Sequence, residues 1–454
     1  MKFRRAGPCR LAPPTALPLL ACLAILFAAS AGLAAQATAL PRGSVAAEQK
    51  RLLAVIARIP IFDNHGHPGY ADDPGVDAMP GGVPGSLPLR LRLDNPEWVA
   101  AARALWHYPY ADFAPAHAAW LARRKRDLER REGHAYFDHV LDQAGIAVAV
   151  ANRVGMPAYL DPRRFRWVFF VGSFLFPFDS RELQSRNPAL AVYVPAQVKL
   201  LHALLSGIGS PALPPTLDSY ERVVASILRR EKSQGGVGMK FEIAYFRSLR
   251  FSDPPRVQAE AIYARWVRGG VPPASDYRVF QDFFFRFLLR QAAALHLPVQ
   301  IHTAVGPEDF YSISGGDVLN LENILRDPRY DGVTFVLLHG GYPFHRQAIW
   351  LTARANVYLD SSLMEFYLYP AALARALRRW LELFPEKVVF GSDAYPFSPS
   401  IGAEECYWLG VRSVREALAA ALAGMVEDGE VGEPQALALA RAYLHDNAAR
   451  LYAR

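Results

Sequence analysis

The chain has 454 residues, of which 52% are hydrophobic and 20% are charged, and its formal net charge is +7. Its 35 prolines and 32 glycines are spread through the sequence rather than gathered in tracts, which excludes a collagen-like or low-complexity chain. Four of the basic residues lie in the first ten positions, and without them the chain carries about +3. The charge therefore gives no support to nucleic-acid binding.

The N-terminus predicts a secretory signal peptide over residues 1–36. Basic residues precede an uncharged apolar run from about Leu17 to Ala35, where small residues form an Ala-x-Ala-like pattern. The alternative is an uncleaved membrane anchor, although the run is barely long enough to span a bilayer. We expect a periplasmic or secreted protein with no stable membrane span after cleavage. Cys9 and Cys22 fall in this leader, so Cys406 alone remains and no intrachain disulfide is expected.

One domain is predicted over residues 44–454, because short β-branched or aromatic runs alternate with helical patterns. The candidate strands are Pro60–Asp63, Ile146–Val154, Trp167–Phe178, Val237–Tyr245, Pro298–Thr303, Thr334–Gly340, Val357–Ser361 and Val388–Asp393. Helical patterns separate most of them, including 215–233, 281–295, 345–355 and 373–384. This alternation predicts an α/β fold, a slightly distorted (β/α)8 TIM-type barrel. An open doubly wound sheet is the alternative, but no glycine-rich phosphate motif follows the first strand.

Two regions exceed what a minimal barrel needs. Residues 70–131 follow the first strand and combine Pro- and Gly-rich loops with helices rich in Trp, Tyr and His. An insertion there lies on the catalytic face and could form a lid, or it could be a plain surface elaboration. Residues 403–452 predict two or three helices that pack around the outside of the barrel.

The strongest chemical signal is a pair of histidines, His65 and His67, at the end of the first strand. Alternate residues of a strand point the same way, so the two imidazoles can converge on one ion, and Asp63 is expected to share their face. Later strands end in the same kinds of side chain: His302, His339 and Asp393. Because the carboxyl ends of barrel strands open on one face, these side chains are expected to gather there. Singly, each could instead be a core histidine or a helix-capping aspartate.

This constellation resembles the amidohydrolase superfamily, specifically its amidohydrolase-related branch (amidohydrolase family 2). The closing segment Asn447–Tyr452 is also similar to that branch's C-terminal signature. The resemblance implies a divalent-metal site whose ligands are His65, His67, His302 and Asp393. The ion would be Zn²⁺, with Mn²⁺ or Fe²⁺ as alternatives. His339 would bind a second metal or polarise the substrate carbonyl.

Lys240 lies on the strand where some superfamily members carry a carboxylated lysine that bridges two metals. A lysine inside an apolar strand is costly unless it is paired or modified. The alternative is an ion pair with Glu242 or with Asp63. One or two ions are therefore expected.

The resemblance implies a metal-dependent hydrolase that uses metal-activated water on an amide, lactone or related bond of a small molecule. Asp393 would be the general base and then the proton donor, while His339 would stabilise the developing oxyanion. A metal-dependent decarboxylase of the same branch remains open, because such enzymes use similar ligands. A noncatalytic periplasmic barrel is the third alternative.

Three residues are candidates for substrate binding. Arg247 could clamp a substrate carboxylate through two hydrogen bonds, Tyr245 lies just before it, and Asn152 ends the second strand. The alternative for Arg247 is an ion pair away from the substrate. The expected partner is a small molecule, and a homo-oligomer is left open.

Overall fold

A computed structural model of the chain describes residues 44–79, 86–187, 190–303, 306 and 311–452. Residues 45–454 form one compact unit. The predicted signal peptide, residues 1–36, lies outside the described residues and stays a prediction. None of the described helices combines the length and the apolar content that a membrane crossing requires.

Eight parallel strands form a nearly closed barrel and follow one another in chain order. They are Ile61–Gly66 (β1), Ile146–Arg153 (β2), Phe165–Phe170 (β3), Gly236–Phe241 (β4), Val299–Ile301 (β5), Phe335–Leu337 (β6), Val357–Asp360 (β7) and Val388–Val389 (β8). The last strand meets the first just beyond its end, where Gly66 bridges to Ala394 and the Asn64 N–H donates to the Phe390 carbonyl at 2.8 Å. The predicted barrel is confirmed.

The α-helices of the described residues surround this barrel. They are Val45–Ile56 (α1), Pro96–Trp106 (α2), Pro115–Glu132 (α3), Ala135–Ala144 (α4), Arg181–Arg186 (α5), Leu190–Ser206 (α6), Leu217–Ser233 (α7), Arg256–Trp266 (α8), Ala274–Leu295 (α9), Glu322–Leu325 (α10), His345–Leu351 (α11), Met364–Tyr367 (α12), Pro370–Leu383 (α13), Ala403–Glu427 (α14), Glu433–Arg441 (α15) and Asn447–Tyr452 (α16).

Local sequence explains several of these boundaries. α7 begins where Thr216 and Ser219 cap each other's backbone N–H groups. α9 begins at Ala274, earlier than the predicted start at 281, because Pro273 supplies the fixed φ that suits the residue before a helix. β3 ends at Phe170, short of the predicted 178, since the aromatic run continues as a buried 3₁₀ turn over Gly172–Leu175.

The last helix closes the lower end of the barrel. The ring of Tyr452 stacks on Phe62 of β1 with centroids 6.0 Å apart and planes 5° from parallel. Asn447 donates to the carbonyls of Pro385 and Val388, each at 2.8 Å, which ties α16 to the beginning of β8. The tail was predicted to pack around the outside. That is correct for α14, which packs against α1, α2, α4 and α13, but wrong for the end of α16.

The helical part of the 70–131 insertion is fastened to the barrel through buried charges. Lys125 of α3 lies 3.0 Å from Glu404 and 2.9 Å from Glu405, both on α14. Trp106 donates to Glu405 at 2.5 Å, and Tyr136 of α4 donates to Glu404 at 2.7 Å. Because every one of these side chains is buried, the contacts fix α2 and α3 against α14. That part of the insertion forms a lid stays a prediction. It applies to the segment before α2, because α2 and α3 are held in place by these contacts.

Candidate metal centre

Three side chains that could hold a metal meet at the carboxyl ends of β1 and β8. Donor atoms of His65, His67 and Asp393 all lie within 4.8 Å of one another. Asp393 Oδ1 is 3.0 Å from His65 Nε2 and 3.5 Å from His67 Nε2. The two histidines are buried, and the Asp393 side chain is 15% exposed. The expected convergence of the first and last strands is present for these three residues.

The backbone around Asp63 explains how Asp393 reaches this place. Asp63 Oδ1 accepts hydrogen bonds from the N–H groups of Ser392 at 2.9 Å and His65 at 3.2 Å. The His65 carbonyl accepts from the Asp393 N–H at 2.8 Å, and Asp393 has a positive φ of 48°. Aspartate tolerates this left-handed conformation better than most residues. Asp63 was expected to share the face of the histidines. Instead it holds the loop that carries Asp393, and burial raises its pKa to about 7.

The second ring nitrogen of His65 lies against two buried amides. Nδ1 is 3.1 Å from Gln300 Oε1 on β5 and 2.8 Å from Asn152 Nδ2, a donor that can bond to Nδ1 only when Nδ1 carries no proton. Asn152 Oδ1 is buried without a partner among the described residues, so turning the amide over lets it accept from a protonated Nδ1. When Nε2 binds a cation, Nδ1 carries the proton, and Gln300 Oε1 can accept it. Asn152 was predicted to bind substrate, but it lies behind His65 and does not line the cavity described below. Gln300 was not among the predicted site residues, although a polar residue inside the apolar strand Val299–Ile301 was a usable signal.

His302 and His339 contact each other, and the ring of His339 also lies 5.4 Å from the ring of His65. His302 Nδ1 lies 3.0 Å from His339 Nε2, and His339 Nδ1 lies 3.3 Å from the Ser362 carbonyl. If His339 donates to that carbonyl, it must accept from His302, and His302 Nε2 then keeps its lone pair. That nitrogen is buried and has no hydrogen-bond partner among the described residues. It is suited to a metal, although it lies outside the 4.8 Å group.

Because of this contact, metal binding by His302 and polarisation of a substrate carbonyl by His339 require opposite tautomers of the two rings. The Ser362 hydroxyl, 3.0 Å from His339 Nδ1, can instead donate to the ring. His339 Nε2 would then carry the proton that a substrate carbonyl needs, and His302 would lose its free lone pair in this geometry. Burial lowers the pKa of both histidines, that of His339 to about 4, so each ring is neutral at pH 7.

Lys240 points at the same centre from β4. Its Nζ is 3.4 Å from His65 Nε2, and the residue is 1% exposed. Burial lowers the pKa of Lys240, against the opposing effect of nearby carboxylates, Glu242 first. Within the described ranges no carboxylate lies at ion-pair distance from its Nζ, so the ion-pair alternatives are not formed. The carbamate remains a prediction.

The insertion contributes an acidic residue that no sequence pattern singled out. Asp77 Oδ2 lies 3.4 Å from His67 Nδ1, so His67 stands between Asp77 and Asp393. Burial, together with Asp77, raises the pKa of Glu242 well above its usual value. Glu242 therefore binds its proton more tightly than a carboxyl group in water does.

A cavity of about 970 Å³ opens above these residues. Its floor is formed by the six predicted metal-site residues, which are His65, His67, Lys240, His302, His339 and Asp393. Its walls come from residues 71–79 and 87–98 of the insertion, from α6, and from 395–401 after β8. Tyr245, a predicted substrate residue, lines the cavity with its ring 4.4 Å from that of His302.

Arg247 lies away from this cavity. Its Nη1 forms a 2.6 Å ion pair with Asp282 on α9, and its guanidinium lies over the ring of Phe251. The Arg247 side chain is 7% exposed and is not part of the cavity wall. Arg247 therefore forms an ion pair away from the cavity, which was the alternative prediction for this residue.

Comparison with known proteins decides the family. The amidohydrolase family model matches residues 197–454, more than half of the chain. The chain belongs to the amidohydrolase family. A curated relative, protein fluG of Emericella nidulans, is 32% identical over 156 residues, which is 34% of this chain and 17% of fluG. This chain therefore spans about a sixth of the length of protein fluG.

Two solved structures share the amidohydrolase's fold at low identity. A candidate metal-dependent hydrolase from Lactobacillus casei is 19% identical with a TM-score of 0.58, covering 88% of this chain and 97% of that one. A uronate isomerase from Thermotoga maritima is 15% identical with a TM-score of 0.57, covering 89% and 97%. At these identities the likeness shows the fold alone.

The residues on the cavity floor of this amidohydrolase fit a divalent cation. Two imidazole nitrogens and a carboxylate oxygen are a ligand set that zinc, manganese and ferrous iron accept. His302 Nε2 adds a buried nitrogen without a partner among the described residues. The amide contacts behind His65 fix its ring as metal-binding histidines require.

Proposed function

We propose that this amidohydrolase is a metal-dependent hydrolase that cleaves an amide, lactone or related bond of a small molecule. The observation that carries the proposal is the meeting of His65, His67 and Asp393 within 4.8 Å at the floor of a large cavity. Catalytic zinc sites commonly use three protein ligands of this kind and keep one position for water or substrate.

In this proposal His65, His67 and Asp393 hold the metal, with His302 as a further ligand. The bound ion supplies a Lewis acid that activates water and polarises the substrate carbonyl. Lys240 is the candidate for a carboxylated lysine that holds a second ion. Zn²⁺ is the expected metal, and Mn²⁺ or Fe²⁺ would suit the same donors.

Asp393 is assigned the proton transfers between the attacking water and the leaving group. Its Oδ1 faces both histidines, so we assign proton transfer to Oδ2, which accepts a proton from water and returns it to the leaving group. Burial alone would raise the pKa of Asp393, but the neighbouring histidines, His65 first, bring it well below its usual value. The carboxylate is therefore ionised at neutral pH, which is the form that a metal ligand needs.

His339 holds His302 in the tautomer that leaves His302 Nε2 free for the metal. Polarisation of the substrate carbonyl, the other role predicted for His339, needs the opposite tautomer. Tyr245 remains the candidate for contact with substrate, because its side chain lies on the cavity wall. Asn152 instead orients His65.

The experiment is metal analysis combined with turnover. Protein stripped by a chelator is reloaded with Zn²⁺, Mn²⁺ or Fe²⁺, its metal content is measured by plasma mass spectrometry, and amides, lactones and a hexuronate are assayed. Metal-dependent release of acid and amine or alcohol, lost in Asp393→Asn, supports the proposal. Release of carbon dioxide would establish the decarboxylase, and aldose–ketose conversion would establish an isomerase. A protein that takes up no metal would establish the noncatalytic barrel.

A further inference from the structure

The wall of the cavity is apolar above the metal centre. The insertion contributes large side chains, among them Leu87, Leu91 and Trp98, and α6 contributes Ala196 and Leu200. A volume of about 970 Å³ lies at the upper end of the range that proteins use for small-molecule ligands, about 300–1,000 Å³. The space is therefore large enough for a ligand much bigger than an acetyl group.

Two apolar side chains of this wall reach the surface at its mouth. Leu93, from the insertion, is 55% exposed, and Phe397, from the loop after β8, is 44% exposed. Both side chains are exposed to solvent and belong to the lining of the same cavity. A ligand with an apolar body would cover both.

The described wall offers few cationic side chains to a carboxylate on that ligand. It includes Lys199 and Lys240 as lysines and no arginine, and its acidic residues away from the metal ligands include Asp72 and Asp77. Asp73 is already paired with Arg153, and the raised pKa of Glu242 favours its neutral form. Residues 80–85 and 304–310 also contain no lysine or arginine in their sequence.

Arg153, which contacts the wall residue Asp73, and the candidate Arg247 each already form an ion pair. Arg153 pairs with Asp73 at 2.5 Å, and Arg247 with Asp282 at 2.6 Å. A bidentate guanidinium clamp, the common protein device for holding a carboxylate, is absent from the described wall.

From these observations we infer that the substrate is a neutral acyl compound with a large apolar group, such as a medium-chain N-acyl amide. This inference rests on the hydrolase function proposed above. In the reaction the acyl C–N bond breaks, water supplies the hydroxyl of the acid product, and its remaining proton goes to the amine. The apolar chain lies along Leu91, Leu200 and Phe397, with the carbonyl at the cavity floor.

A set of three p-nitroanilides tests the inference on the zinc-loaded protein. The acyl groups are acetyl, octanoyl and the eight-carbon chain that ends in a carboxylate. Each buried methylene contributes about a fourfold gain, so kcat/KM for octanoyl is expected to exceed that for acetyl by about 100-fold even with partial burial. The carboxylate-ended chain is expected to be about tenfold poorer than octanoyl. Equal values for acetyl and octanoyl, or for octanoyl and its acidic analogue, would overturn the inference.

A filling substitution locates the binding space. Ala196→Trp, on the α6 wall, is expected to lower kcat/KM for octanoyl at least about tenfold more than it lowers kcat/KM for acetyl. Ala191→Trp is the matched control, because Ala191 lies on the same helix, is exposed and is not part of the wall. An equal loss of kcat/KM for octanoyl in both variants would show that the acyl chain does not bind against α6.

A binding measurement separates this inference from the hydrolase proposal. The neutral dye Nile red is titrated into the zinc-loaded protein, and octananilide or its carboxylate-ended analogue is used to displace it. Binding that Ala196→Trp weakens and that octananilide alone reverses supports the inference even if no anilide is cleaved, in which case only the hydrolase proposal fails. No binding of dye or anilide would overturn the inference.

Discussion

Gln300 Nε2 donates a hydrogen bond to the hydroxyl of Tyr452 at 2.7 Å, across the interior of the barrel. The other end of the same amide lies 3.1 Å from His65 Nδ1. Tyr452 in turn donates to Asn64 Oδ1 at 2.8 Å, and all these groups are buried. The final helix is thereby connected to a metal-site histidine through one glutamine.

Replacing Gln300 is therefore expected to weaken metal binding without removing a ligand. In Gln300→Leu the N–H of His65 loses its acceptor, and the affinity for Zn²⁺ should fall about 10- to 100-fold, as measured by competition with a fluorescent chelator. Gln281→Leu is the matched control, because Gln281 is equally buried but lies on α9 away from the centre. Affinity within about twofold of wild type in Gln300→Leu would show that the contact does not support the metal site.

Removal of a central ligand should abolish metal binding and leave the fold intact. His65→Ala and Asp393→Asn are each expected to reduce bound zinc from about one ion per chain to less than about a tenth, because each removes one of the three donors that meet within 4.8 Å. Plasma mass spectrometry measures the metal, and far-UV circular dichroism follows the secondary structure. Loss of helical signal in both variants would instead mark the two residues as supports of the core.

The buried charges beneath the insertion make a separate prediction about stability. Lys125→Met leaves Glu404 and Glu405 buried without their cation, which should lower the free energy of unfolding by about 3–5 kcal/mol. Urea denaturation followed by circular dichroism measures it. The control is Arg126→Met on the same helix, an exposed residue whose replacement should cost less than about 0.5 kcal/mol. Equal losses in both variants would contradict the importance of the buried pair.

The raised pKa of Glu129, which lies on α3 with Lys125, makes the free energy of unfolding depend on pH. Burial, and then Glu404 and Asp72, raise its pKa from 4.5 to about 7 against the opposing charges of Lys125 and Arg126. The folded state therefore binds the proton of the Glu129 carboxyl more tightly than the unfolded state does. The resulting contribution to the free energy of unfolding is fully present below pH 4.5 and is lost as the pH rises to about 7.

Glu129→Gln removes that dependence. Relative to wild type, its free energy of unfolding should therefore rise by about 1–2 kcal/mol between pH 5 and pH 8, after allowance for solvent screening. Denaturation curves at the two pH values measure this difference. A difference that stays constant, or that falls with pH, would be incompatible with the raised pKa.

The sequence predicted those parts of the centre that depend on local patterns. His65, His67 and Asp393 each follow a short apolar run, and a closed parallel barrel brings the ends of such runs together whatever their separation. The strand count and most boundaries followed from the same patterns.

The remaining contacts depend on distances that no local pattern encodes. Gln300 and Tyr452 meet across the barrel from positions 152 residues apart. Arg247 could have faced the cavity, and only the packing of α9 places Asp282 beside it. Asp77 lies in an aperiodic loop, so nothing in the sequence distinguished it from Asp72 or Asp73.

The position of bound zinc decides whether His65, His67 and Asp393 form one metal centre. Crystals of the zinc-loaded protein would be measured at the zinc absorption edge, and an anomalous difference map calculated. We expect a peak within about 2.0–2.3 Å of His65 Nε2, His67 Nε2 and the Asp393 carboxylate. A fully loaded crystal with no peak among these three side chains, or with its zinc held by other residues, would contradict that expectation.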